Sequence, residues 1–135
     1  MPELFSTDWA QNYKEIWNSS EGIADQLGQA GFNSIIAFGI DGERMPRVVF
    51  VIANGQIVSS DRHSEAVPNW DIRAAHEDWA NMMKKPPGIM RLGLAYTSRK
   101  LKFKKGDYAV MIKDPGLSTA FVKCFALMGR ALNDA

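Results

Sequence analysis

The sequence is poor in the residues that most enzyme and metal sites need. Cys124 is its single cysteine, which excludes an internal disulfide and a cysteine-rich metal site. His63 and His76 are its only histidines, and neither has a second histidine four residues away, so the zinc-protease helix pattern is absent. There is also no Gly-x-Ser-x-Gly, no phosphate loop and no dinucleotide fingerprint. We therefore expect no metal and no cofactor.

Charge of one sign is not in excess either. The 135 residues include 16 basic and 15 acidic side chains, a net charge of +1, so nucleic-acid binding is not expected. No apolar run approaches the ~18 residues of a membrane span. The N-terminus lacks a signal-peptide pattern, and the C-terminus is not a peroxisomal or retention signal. These absences favour a cytoplasmic protein of one domain, residues 1–135.

The first thirty residues predict two helices. Trp9, Tyr13, Ile16 and Trp17 recur with helical spacing and predict a helix over residues 7–18, with Ser6 or Thr7 as its N-cap. A second, short helix carries Ile23, Ala24 and Leu27 and ends near Gly31. We assign residues 1–30 to this N-terminal helical part.

Residues 31–105 are expected to form the sheet, with helices inserted between its fourth and fifth strands. Strands are expected over residues 34–40, 47–53 and 56–60, the last two joined by an Asn54-Gly55 hairpin turn. In a fourth strand, apolar Trp70, Ile72 and Ala74 alternate with polar Asn69, Asp71 and Arg73, which predicts one wet face. We expect these four strands to form a meander.

The second half of the sequence predicts helices around a fifth strand. A helix is expected from Ala75 until the Pro86-Pro87 pair ends it, followed by a short helical or irregular segment over residues 89–96. The basic strand at residues 100–104 and a turn at residues 105–107 lead into a C-terminal helical segment, 106–135, that Pro115-Gly116 divides in two. The whole order predicts an α+β fold in which helices pack on a five-stranded, mostly antiparallel sheet.

Large, unbranched apolar side chains recur through the second half of the chain. Leu117, Phe121, Cys124, Phe125, Met128 and Leu132 share one face of the last helix. A stripe of this kind can close a packed core or a lipid-sized cavity, because Met and Phe fill irregular shapes and need no hydrogen-bond partner. The candidate ligand-binding residues are the soft apolar side chains of this half: Trp79, Met82, Met83, Ile89, Met90, Leu94, Phe103, Met111, Phe121, Cys124, Phe125 and Met128.

The basic strand offers a second candidate surface. Lys100, Lys102 and Lys104 lie on one face of it, opposite Leu101 and Phe103. Lysines on an edge strand protect it against pairing with other chains. The same lysines could instead contact an anionic membrane surface or the phosphate groups of an acyl-CoA. The sequence leaves both interpretations open.

Several of these segments, in this order, resemble the SCP2-like (sterol carrier protein 2, non-specific lipid-transfer) domain family. The segments are Phe38–Gly42, Val48–Ile52 with the Asn54-Gly55 turn, Trp70–Ala75 leading into Glu77–Trp79, and Leu101–Asp107 followed by an apolar helix. The resemblance covers residues 31–132 approximately. It implies a five-stranded sheet, and an apolar tunnel between sheet and helices that holds a fatty acid, sterol or acyl-CoA.

Three functions remain open at this stage. In the first, the protein is not an enzyme but a carrier of a lipid, with the Pro115-Gly116 break as a hinge for its C-terminal helix. In the second, it is an isomerase or hydratase that uses Asp71 or Asp107 as base, although Asp71 is expected on a wet face and Asp107 as a helix cap. In the third, it is an accessory module that delivers an apolar metabolite to a partner enzyme.

Overall fold

The computed structural model of the chain describes residues 4–29, 31–61 and 67–133. His63, one of the two histidines, lies outside these residues. Helix α1 spans Thr7–Asn18, as predicted. Its N-cap is Ser6, whose side chain accepts a hydrogen bond from the Trp9 backbone N–H at 3.2 Å. A π-helical turn, Glu21–Asp25, then runs into the short α2, Gln26–Gln29.

The sheet has five strands, and its order corrects the predicted meander. The strands are β1 (Ser34–Ile40), β2 (Val48–Ala53), β3 (Gln56–Asp61), β4 (Trp70–Ala74) and β5 (Lys102–Lys105). They lie in the order β3-β2-β1-β4-β5. Strand β4 pairs parallel to β1 and the other three pairings are antiparallel, so the mostly antiparallel sheet is confirmed and the four-strand meander is wrong. Only β1–β3 form a meander.

The turn between β2 and β3 has the backbone conformation that its sequence predicts. Asn54 has φ of 49° and Gly55 has φ of 80°, the two positive values that a type I′ turn requires. The Gly55 carbonyl accepts a hydrogen bond of 2.8 Å from the indole Nε1 of Trp17 on α1. The turn therefore fixes the position of the first helix on the sheet.

Four helices follow the fourth strand. They are α3 (His76–Lys84), α4 (Ile89–Thr97), α5 (Tyr108–Lys113) and α6 (Pro115–Asn133), with β5 between α4 and α5. The division of the C-terminal segment is confirmed, and it falls at Asp114, which has an extended backbone. The Asp114 side chain accepts a hydrogen bond from the Leu117 backbone N–H at 3.2 Å and so caps α6. Pro115 occupies the first helical position, where its missing N–H costs nothing.

One part of the core is packed with aromatic rings. Phe38 and Phe50 project from β1 and β2 toward the helices, where Trp9, Tyr13 and Trp79 meet them with ring centroids 5.1–6.4 Å apart. None of these five side chains is more than 3% exposed. Such rings bury a large apolar area at a fixed geometry, so this part of the core is closely filled.

The opposite face of β4 is buried, which corrects the wet face expected there. Asp71 and Arg73 are 5% and 3% exposed. The Arg73 guanidinium binds both carboxylate oxygens of Asp71, with Nε–Oδ1 at 2.6 Å and Nη2–Oδ2 at 3.0 Å. It also donates to the Glu43 carbonyl at 2.7 Å. Because the two charges neutralise each other and the loop after β1 covers them, both side chains can leave water.

Candidate functional site

A narrow apolar gap lies between the helix-covered face of the sheet and helices α5 and α6. Its walls are formed by side chains from the sheet, the N-terminal helices and the C-terminal helices: Tyr13, Trp17, Leu27, Phe32, Ile36, Phe38, Phe50, Ile52, Ile57, Trp70, Ile72, Met111, Leu117, Ala120, Phe121 and Cys124. Four of these are only half-buried and mark its open side: Phe32, Ile36, Trp70 and Leu117.

The gap is small. The irregular space between these residues and at their mouth is about 570 Å³, but the enclosed free volume is only about 50 Å³, room for a few water molecules. Sites that hold a drug-sized molecule have roughly 300–1,000 Å³. The interior is therefore mostly filled in this conformation, and a long-chain ligand enters only if the helices on one side move.

The walls of the gap offer a ligand almost no hydrogen bonds. Four wall residues carry a polar side-chain group, namely Tyr13, Trp17, Trp70 and Cys124, and three of these groups contact partners within the protein. The Trp17 indole donates to Gly55, the Tyr13 hydroxyl donates to the Cys124 carbonyl at 3.4 Å, and the Cys124 thiol contacts the Phe121 carbonyl at 2.9 Å. No buried side-chain polar atom of the described residues lacks a partner. A molecule in this gap would be held mainly by its apolar surface, and the indole N–H of half-buried Trp70 is a donor at the open side.

Helix α6 is anchored to α1 along its second half. Trp9 Nε1 donates to the Met128 carbonyl at 3.2 Å, and Asn12 Nδ2 donates to the Ala131 carbonyl at 3.4 Å. The Tyr13 hydroxyl bond to Cys124 is the third of these anchors. All three lie at or beyond Cys124, whereas Leu117 and Phe121, in the first two turns, lie over the gap. We call α5 and residues 115–121 the lid segment.

The twelve predicted ligand-binding residues fall into three groups. Met111, Phe121 and Cys124 lie in the wall of the gap. Trp79, Met82, Phe125 and Met128 are buried in the filled core, and Met83 and Phe103 are half-buried against it. Ile89, Met90 and Leu94 instead lie at the surface, so they do not line the interior. A role in ligand binding stays a prediction for the nine residues in or against the interior, and the three surface residues are not part of the gap wall.

Most of the gap wall comes from residues that the sequence prediction did not include. Ile36, Ile52 and Ile72 belong to three different strands and point to the same face of the sheet. In the sequence they appear as ordinary strand core residues. The alternation within each strand was the available signal, because it places one set of residues on the helix-covered face.

The two carboxylates considered as catalytic bases lie away from the gap. Asp71 is on the opposite face of the sheet, paired with Arg73. Asp107 is the N-cap of α5, as predicted, and its side chain accepts a hydrogen bond from the Ala109 backbone N–H at 2.9 Å. No cluster of three potential metal ligands occurs in the described parts of the chain.

The lysines of β5 are partly occupied by neighbours. Lys102 forms an ion pair with Asp41 at 2.8 Å, and Lys104 donates to the Arg44 carbonyl at 3.1 Å. The bond to Lys102 lowers the pKa of Asp41, which favours its charged form. These contacts hold β5 to the loop that follows β1. Lys100 is exposed and lies just before the strand.

Burial raises the pKa of the Cys124 thiol to about 12, from a usual value near 9.0. Because the folded protein holds the thiol proton more tightly than the unfolded chain does, this group stabilises the fold below pH ~9 and stops doing so as the pH rises toward ~12. We predict that Cys124 does not react with a disulfide reagent such as DTNB at pH 8 until urea unfolds the chain. Rapid labelling of the native protein would contradict its burial.

The sheet order, with helices packed over one face, defines an SCP2-like fold. The structure is similar to a crystal structure of sterol carrier protein 2, with TM-score 0.72 and 21% identity over 94% of this chain and 98% of that one. It is also similar to a Thermus thermophilus protein described as possibly a sterol carrier protein, with TM-score 0.64 and 22% identity over 93% and 90% of the two chains. A ubiquinone synthesis protein, UbiJ-SCP2, matches with TM-score 0.56 and 11% identity over 88% and 90%.

At these identities the likeness concerns the fold. No protein-family model matches the chain, and no curated protein matches it significantly. None of the helices in the described ranges combines the length and the hydropathy that a membrane span requires. The resemblance predicted from the sequence is thus confirmed at the level of architecture.

Proposed function

We propose that this protein binds a single-chain lipid, such as a long-chain fatty acid, in the gap under its lid segment, and carries it without catalysis. The observation that supports this most directly is the composition of the gap. Its wall is almost entirely apolar, and three of its four polar side chains have partners within the protein. Such a wall recognises hydrocarbon by area and shape, with about 0.8 kcal/mol for each methylene group that leaves water.

Binding requires the gap to widen, and the structure offers a local way to do so. The lid segment contributes Met111, Leu117 and Phe121 to the wall. The three hydrogen bonds to α1 lie at Cys124, Met128 and Ala131, so they allow the first turns of α6 to tilt while the rest of the helix keeps its place. The extended residue Asp114 between α5 and α6 is the natural pivot. An acyl chain that enters the gap makes new apolar contacts, which replace the contacts that the lid segment loses.

The fold likeness supports the same class of ligand. One of the similar structures is of sterol carrier protein 2, a second is described as possibly a sterol carrier protein, and a third belongs to a ubiquinone synthesis protein. Sterols and polyprenyl chains are bulkier than an acyl chain, and the free volume here is only about 50 Å³. We therefore favour a slender, unbranched chain, which needs the smallest opening.

The proposal is tested by direct binding. Cis-parinaric acid, a fatty acid that fluoresces in apolar surroundings, is expected to bind the purified protein and to be displaced by palmitate but not by butyrate, because a short chain buries too little area. Native mass spectrometry of freshly purified protein is expected to show a co-purified species of fatty-acid mass. If the probe does not bind and no adduct is present, the gap is a filled core and the proposal is wrong.

A further inference from the structure

Charge is divided unevenly along this nearly neutral chain. Residues 84–113 contain nine basic side chains and one acidic side chain, Asp107, a net charge of +8. The remaining 105 residues contain seven basic and fourteen acidic side chains, a net charge of −7. An even distribution of charge along the sequence would give both parts a net charge near zero. The positive part of the molecule is therefore a single continuous segment that includes α4, β5 and α5.

The same segment carries most of the exposed apolar side chains. Eight large hydrophobic residues are exposed in the described parts of the chain, and five of them lie here: Ile89, Met90, Leu94, Tyr96 and Val110. Met90 is 81% exposed and Leu94, one helical turn later, is 69% exposed. Single exposed apolar residues are common on protein surfaces, but a group of them within one basic segment indicates an interaction site.

Helices α4 and α5 present this apolar group together. Tyr96 of α4 stacks on Tyr108 of α5 with ring centroids 4.2 Å apart, which makes the two helices neighbours. Leu92, on the inner side of α4, is completely buried, so the helix is already seated on the core. Met90 and Leu94 point outward from a helix that has its inner contacts satisfied. Neither side chain is needed to pack α4 on the core.

We propose that this α4–α5 surface docks on an anionic lipid bilayer. An apolar ridge flanked by Lys and Arg is the arrangement that lies in the headgroup region of a membrane, with the apolar side chains inserted and the cations over anionic lipids. Arg91, Arg99 and Lys113 are exposed, and none of them forms an ion pair with another described residue. They are available for lipid phosphates, whereas Lys102 is already paired with Asp41.

Other parts of the molecule fit a bilayer less well. The exposed side of α1 carries Asp8, Gln11 and Glu15. An anionic surface would repel the two carboxylates and would not attract the neutral amide. A nucleic acid would use the cations but has no use for an aliphatic ridge. The α4–α5 surface also adjoins the proposed lid, because Val110 faces outward beside Met111, which lines the gap. Docking would thus place the lid at the membrane, although docking itself does not depend on the proposed ligand.

The test is flotation of the full chain with vesicles of phosphatidylcholine alone or mixed with phosphatidylglycerol. Wild-type protein is expected to float with the anionic vesicles and to be released by salt. The double variant Met90→Ser/Leu94→Ser is expected to bind at least about tenfold more weakly, because two apolar side chains no longer leave water. Val58→Ser/Val67→Ser is the matched control: these valines are 54% and 68% exposed but lie outside the segment, and its binding is expected to equal wild type.

Three results would overturn the proposal. The first is that the wild type does not float with anionic vesicles, which would leave an acidic protein as the occupant of this surface. The second is equal flotation with both kinds of vesicle. The third is full binding by the Met90→Ser/Leu94→Ser variant. Circular dichroism checks that each variant is folded. Uptake of cis-parinaric acid in vesicle-free buffer is expected to be unchanged in the Met90→Ser/Leu94→Ser variant, so failure of docking and failure of ligand binding give different results.

Discussion

The Ala120→Leu variant is expected to bind cis-parinaric acid about fiftyfold more weakly than the wild type. Ala120 is 5% exposed and lies in the wall of the gap, so a larger side chain there occupies the space that an acyl chain would use. If the leucine excludes about three methylene groups at ~0.8 kcal/mol each, the loss of affinity has this size. The measurement is a fluorescence titration at equal concentrations of folded protein.

The same substitution on the outer side of α6 provides the control. Ala126 is exposed on the same helix, and Ala126→Leu is expected to leave the affinity unchanged. The free volume beside Ala120 is small, so we expect the added carbons of Ala120→Leu to lower the stability by about 1–3 kcal/mol, which leaves the variant folded for the titration. Wild-type affinity in a folded Ala120→Leu variant would show that the ligand binds elsewhere.

Removing the Asp71 carboxylate is expected to destabilise the protein by about 3–5 kcal/mol, a large part of the roughly 5–15 kcal/mol that holds a typical domain together. Arg73 is 3% exposed, and Asp71 is the one carboxylate with which it forms an ion pair in the described residues. In Asp71→Ala the guanidinium keeps its bonds to the Ile40 and Glu43 carbonyls but loses the opposite charge. Urea unfolding followed by tryptophan fluorescence measures the shift of the midpoint.

The ion pair between Asp41 and Lys102 is the matched comparison. Its atoms are 2.8 Å apart, nearly as close as those of the buried pair, but the two side chains are 39% and 46% exposed. Water screens both charges, so the Asp41→Ala variant is expected to unfold at nearly the wild-type urea concentration. If Asp71→Ala shifts the midpoint no more than Asp41→Ala does, burial of the first pair contributes nothing to stability.

The local structure of this chain is largely readable from its sequence, whereas the partners of its strands are not. The β-like composition of residues 34–40 and the Asn54-Gly55 pair predict β1 and the hairpin correctly, because both signals act between near neighbours in the chain. The parallel pairing of β4 with β1 depends on how a connection folds over the sheet, and alternation within β4 carries no such information.

The buried face of β4 shows the same limit at the level of side chains. A polar residue at every second position normally faces water, and this rule predicts Asp71 and Arg73 at the surface. Their burial depends on a salt bridge with each other and on a cover supplied by a loop some thirty residues earlier. The alternation of polar and apolar residues does not distinguish a pair of opposite charges, such as Asp71 and Arg73, from two uncharged polar residues.

The candidate site was predictable only in its C-terminal half. The helical stripe that includes Phe121 and Cys124 indicated one wall of the gap. The opposite wall consists of Ile and Phe side chains on strands, which have the same sequence signature whether they face a tightly filled core or a gap. Free volume depends on the fit between distant segments, so it first becomes visible in three dimensions.

The anchoring of the last helix on the first has a consequence for how the polypeptide is made. Trp9 and Met128, joined by a hydrogen bond, are 119 positions apart. While a ribosome is still synthesising the middle strands, α6 is not yet present to cover Trp9 and Tyr13. The emerging chain therefore exposes an apolar aromatic surface. Chaperones that recognise such surfaces would engage this protein early and release it once its final helix has emerged.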